Sequence, residues 1–150
     1  MPNSAHLHLL LNHFPVIGTA GVLIFLLYAF ASKNEKLKKF SLLVIILISL
    51  ITIPVFVSGN NAQGIVKGAE GIVEDNIPAH ENFANKSFLA MEILGAFALA
   101  GLALFRKDKN IPLWFSAVIF VLLLTVNGMM VYTSSLGGKI THYEIINKGK

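Results

Sequence analysis

Phe40 to Ser58 reads FSLLVIILISLITIPVFVS, a stretch without one charged side chain. A helix on the surface of a soluble domain buries one stripe and turns charged and strongly polar residues to water. This stretch has no such face, so it reads as a helix with apolar surroundings on every side. Phe14–Ala31 and Ile111–Ser135 have the same character, and Ser87–Phe105 departs from it only at Glu92. Each block has about the 17–25 residues a helix needs to cross a bilayer. The whole chain agrees: 150 residues, 55% hydrophobic and 13% charged, against roughly 25% charged in a soluble domain. The sequence predicts an all-α, integral membrane four-helix bundle that forms a single domain over residues 1–150. Its helices fall at about 4–32, 40–58, 78–105 and 111–135, with an outer loop at 59–77 and a tail at 136–150.

The lysines set the expected orientation. SKNEKLKKF, after the first block, carries Lys33, Lys36, Lys38 and Lys39, and RKDKN, after the third, carries Arg106, Lys107 and Lys109. Short basic loops stay in the cytoplasm, so both termini and the 59–77 loop are expected outside, on the periplasmic side of a bacterial inner membrane. Short inner loops make consecutive helices antiparallel neighbours, giving an up-down-up-down bundle. No internal repeat stands out. Ala29-Phe30-Ala31 has the look of a cleavage site, but no basic segment precedes the block, so the first helix is expected to be retained. Asn76 is placed to cap the third helix, with Pro78 in its first turn.

Composition excludes several chemistries. There is no cysteine, hence no disulfide, no thiolate cluster and no Cys-x-x-Cys-His haem attachment. The net charge of +4 comes from lysines beside helix ends, which is no nucleic-acid footprint.

All five histidines, His6, His8, His13, His80 and His142, fall on the expected outer side. Histidine within or beside a span is costly and marks function. His13 sits at the edge of the apolar core, where its imidazole needs a partner, and His80 opens the third helix. Two imidazoles on facing helices can hold the iron of a b-type haem, whose porphyrin supplies the other four nitrogens. The sequence thus points to haem b, one or two groups, with His13 and His80 as axial ligands and His8 with His142 as the second pair. A bare copper or zinc site, which needs three or four protein ligands, is the alternative, drawn from His8, His13, His80, Glu81 and His142. Glu92 and Asn127 lie at comparable depth, so they are expected to bond to each other near the cofactor. With no histidine at the inner face, the haem would serve the outer one, exchanging electrons with a periplasmic cytochrome or with quinol. A non-catalytic subunit of a larger respiratory complex is a further alternative.

HLLLNHFP (His8–Pro15) resembles the HPxLVHFP opening of small bacterial four-helix membrane proteins that are grouped as a domain of unknown function. AHEN (Ala79–Asn82) resembles the histidine that precedes their third helix. LGGKITHYEI (Leu136–Ile145) resembles the ending GGKIxHxEI of one subgroup. The match departs at Leu9, where the common opening has proline. The resemblance covers nearly the whole chain and implies a bacterial inner-membrane protein with a b-type-cytochrome-like bundle. It carries no defined activity.

Overall fold

The computed structural model describes residues 3–69, 71–107 and 109–141. Every regular element among them is helical: α1 (Ser4–Leu11), α2 (His13–Ala31), α3 (Glu35–Val66), a 3-10 turn (Glu74–Asn76), α4 (Ile77–Leu104) and α5 (Leu113–Thr141). Four stretches are long and apolar enough to cross a membrane: Ser4–Ala31, Glu35–Val66, Glu74–Leu104 and Leu113–Ile140.

The first span is interrupted at Asn12. Pro15 has no N–H to give the carbonyl of Leu11, four residues back, and the chain makes a turn there between α1 and α2. Asn3 caps α1 by accepting the His6 N–H at 2.9 Å. Asn34 caps α3 in the same way, accepting from Leu37 at 3.1 Å.

Two helices run further than the sequence suggests. α3 continues eight residues past Ser58, and α5 continues past Ser135 to Thr141. The glycines that look like loop punctuation, Gly59 and Gly64 in α3 and Gly137 and Gly138 in α5, all lie inside helix. The connection after α3 is correspondingly short. It is tied to the end of α5 by the Val73 N–H on the Ile140 carbonyl at 3.0 Å and by the Asn76 amide on the Lys139 carbonyl at 3.0 Å. Asn76 therefore spends its side chain on α5 and makes no cap bond to α4.

The helices pack in a ring, α2–α3–α4–α5 and back to α2, with α1 lying along α3. Val22, Leu26, Ile45, Met91, Leu94, Ile119 and Leu123 fill its axis. The outer surface is apolar as well: Ile24 is 70% exposed and Leu113 75%. In water such a surface would drive aggregation, and in lipid it is at home. These features fit a multi-pass membrane protein. The two lysine-rich connections meet at one end, where Lys39 donates to the Lys107 carbonyl at 2.6 Å and the Ile111 N–H to Glu35 at 2.8 Å. Trp114 and Tyr28, both exposed, sit near that end, where aromatic side chains favour a headgroup boundary.

The halves of the chain repeat each other. Buried positions on α2 are Pro15, Thr19, Val22, Leu26 and Ala29; on α4 the same spacing gives Ser87, Met91, Leu94, Ala98 and Gly101. Buried Lys38, Ser41, Ile45, Ile48 and Thr52 of α3 match buried Ser116, Ile119, Leu123, Val126 and Met130 of α5. The hairpin α1–α2–α3 and the hairpin α4–α5 are thus related by an approximate two-fold about the bundle axis. The sequence hides it, because burial is repeated while residue identity recurs at only a few positions, such as His8 with His80 and Gly59 with Gly137.

Candidate functional site

His8 and His80 are mates under this two-fold, and each is held in the same way. The Nδ1 of His8 lies 3.0 Å from the carbonyl of Val55, four residues before Gly59. The Nδ1 of His80 lies 3.0 Å from the carbonyl of Thr133, four residues before Gly137. A carbonyl can only accept, so Nδ1 carries the proton in both rings, and in the neutral imidazole Nε2 keeps a free lone pair. This is how proteins orient a histidine whose other nitrogen binds metal. Each ring also lies on its glycine. A Cβ at Gly59 would come within 2.8 Å of His8 Cε1, and one at Gly137 within 3.1 Å of His80 Cε1. The glycines serve close approach, which is why they interrupt no helix.

The two rings face each other across the bundle, with centroids 6.5 Å apart and planes at 75°. Two metal–nitrogen bonds of about 2 Å each, with the distance from each nitrogen to its ring centre, span about 6 Å. With both Nε2 atoms turned inward, that span is close to the separation of the two ring centres.

The pair stands in a cavity of about 340 Å³ at the end of the bundle away from the two lysine-rich connections. Its walls are largely apolar, with Val16, Val55, Phe56, Phe88 and Met130 among them. Ser87, fully buried, lies 2.7 Å from the Thr133 hydroxyl and so steadies the helix turn whose carbonyl holds His80. Ser58 donates to the same Val55 carbonyl that holds His8. The Oδ1 of Asn12, also in the wall, is buried with no hydrogen-bond partner.

The expected site residues are distributed as follows. His13 and Glu81 line the cavity, but His13 is exposed, and the ring that meets His80 is that of His8. Depth along the first helix favoured His13. The packing of α1 along α3 puts His8 against Val55 and Gly59. His142 lies outside the described residues. Among the described residues no three His, Asp or Glu side chains gather closely enough to hold an ion together. His6 is exposed, near the end of α1.

Glu92 and Asn127 do not bond to each other. Glu92 accepts from Ser49 of α3 at 2.8 Å. Asn127 donates to the Thr19 hydroxyl of α2 at 2.9 Å and to the Val16 carbonyl at 3.3 Å. Each reaches across to the neighbouring helix of the other hairpin, and Ser49 and Asn127 are themselves two-fold mates. Comparison of the chain with family models, with curated proteins and with solved structures finds no match. The residues on which the sequence resemblance rests nevertheless converge in space, since His8, His13, His80, Gly137 and Gly138 all line this one cavity.

Proposed function

We propose that the chain is a membrane-embedded b-type haem protein of the bacterial inner membrane, with His8 and His80 as axial ligands and electron transfer as its role. The observation that carries this reading is the matched pair of imidazoles, each with Nδ1 committed to a helix carbonyl and Nε2 left free. Bound haem would supply one-electron redox chemistry, and its porphyrin asks for only two protein ligands. Val55 and Thr133 would fix the ring tautomers, Gly59 and Gly137 would admit the rings, and the apolar wall would keep water from the group. The lysine-rich end faces the cytoplasm in this reading, which puts the cavity at the periplasmic face, open to a periplasmic or membrane-borne redox partner.

Purification from haem-supplemented cells tests it. A sharp α-band should appear on dithionite reduction, as two-imidazole low-spin haem gives. His8→Ala and His80→Ala should each abolish the band, and His13→Ala should leave it. A band that survives both of the first two substitutions would refute the ligand assignment. A colourless preparation with stoichiometric copper or zinc would turn the site over to bare metal, with His13 and Glu81 as the further ligands in reach of the cavity.

A further inference from the structure

The approximate two-fold makes the seam between α3 and α4 the mate of the seam between α5 and α2. On the first, Phe56 stacks on Phe88 with centroids 4.2 Å apart and planes within 8°. The counterparts on the second are Ser134 and Val16, which also line the cavity. Two rings therefore shut one side, and a hydroxymethyl and an isopropyl group stand in their place on the other. The contact with α5 is carried by α2, since α1 lies along α3. On the lipid side of this second seam, Ile17 and Val131 are 68% and 50% exposed.

The cavity wall, one turn from Val16 along the first span, also holds the bare Oδ1 of Asn12. Its counterpart on α4 is Ala84, which needs nothing. A buried acceptor without a donor is destabilising and rare in folded proteins. In the wall of a ligand-sized cavity it marks where a donor is received. The space lost to no ring, the approach through lipid and the single acceptor define an aromatic, apolar molecule that carries a hydroxyl.

We infer that the α2–α5 seam is a side opening through which the cavity takes a lipid-soluble hydroquinone, with its ring between Val16 and Ser134 and one hydroxyl donating to Asn12. The docking stands on the seam itself, and only its redox purpose rests on the haem reading, whose electron partner it would name.

The full-length protein in nanodiscs, kept anaerobic, is titrated calorimetrically with a decyl-chain benzohydroquinone and with its dimethyl ether, and the α-band is recorded on the same samples. Saturable binding of the hydroquinone is expected. Val16→Phe and Ser134→Phe, which restore the missing rings, should weaken it by at least about tenfold, and Asn12→Leu by about tenfold, the worth of one hydrogen bond to a buried group. The ether should bind weakly and be indifferent to Asn12→Leu. If either phenylalanine variant melts early, the comparison of Asn12→Leu with the ether decides alone. No saturable binding by the wild type, or equal binding by wild type and all three variants, overturns the inference. Binding without an α-band keeps the docking and sinks the electron-transfer reading, while a band without binding does the reverse.

Discussion

Glu92 reaches Ser49 at 2.8 Å because residue 95, one turn along α4, is glycine. A Cβ there would run into Ser49 Oγ and lie 2.6 Å from its Cβ, so α3 and α4 can approach this closely only without it. In membranes, small residues at helix contacts serve that purpose. Gly95→Ala is expected to force the helices apart and cost about 1–3 kcal/mol, the usual penalty of overpacking. Glu92→Gln keeps an acceptor for Ser49 and should change little. Thermal unfolding in detergent separates the two, and a Gly95→Ala protein as stable as wild type would refute the close-packing argument.

The other glycines should sort by what surrounds them. Gly59→Ala drives a methyl into His8, while Gly137→Ala meets His80 at a distance where the ring needs to yield only slightly. If the proposed haem is bound, its α-band should therefore shift or weaken more with Gly59→Ala than with Gly137→Ala. Gly64 has nothing within 4 Å and lies in helix, so Gly64→Ala should leave the band alone and stabilise by about 0.5–1 kcal/mol. The spectra and melting curves of the three variants, taken together, check this order. A shift with Gly64→Ala would undo it.

Asn127 and Glu92 should behave as strangers. Interhelical hydrogen bonds in membranes average about 0.6 kcal/mol, with a maximum near 1.7, so Asn127→Leu and Glu92→Leu each cost an amount of that order. As the two bond to different helices, their effects should add within about 0.5 kcal/mol. A double-mutant cycle reporting a larger coupling energy would restore the direct pairing that their similar depth suggests.

Orientation is open to a labelling test. Asn3→Cys should react with a membrane-impermeant maleimide added to intact spheroplasts, and Lys36→Cys should react only after lysis. The reverse pattern would put the cavity in the cytoplasm and remove any periplasmic partner.

The spans and the gathering of basic loops at one end were legible because they follow from composition, which needs no partner. The site was only half legible. His80 stood out at the head of its helix, but that His8 rather than His13 meets its ring depends on the packing of α1 along α3, where Gly59 leaves room for an imidazole, and depth along the helix argues the other way. Gly59 and Gly137 misled, since a glycine that ends a helix and one that admits a ring look alike in a string of letters. Glu92 and Asn127 were matched by depth, whereas their true partners, Ser49 and Thr19, follow from the faces of α4 and α5 they occupy, each turned to the other hairpin. The internal repeat was invisible for a related reason: lipid-facing and core positions draw on the same apolar residues, so a repeated burial pattern leaves little trace in residue type.

That repeat has a consequence for assembly. His8 emerges with the first hairpin and His80 with the second, so the pair does not exist until both hairpins are inserted. The core-facing surface that each offers the other repeats the same spacing of buried positions. What distinguishes the chain's own second hairpin from that of a neighbouring chain is mainly the short connection from Lys67 to Val73, which holds it nearby at high effective concentration. Shortening that connection until it no longer spans the gap should yield dimers that exchange hairpins, each carrying two reconstituted pairs of His8 and His80 from different chains.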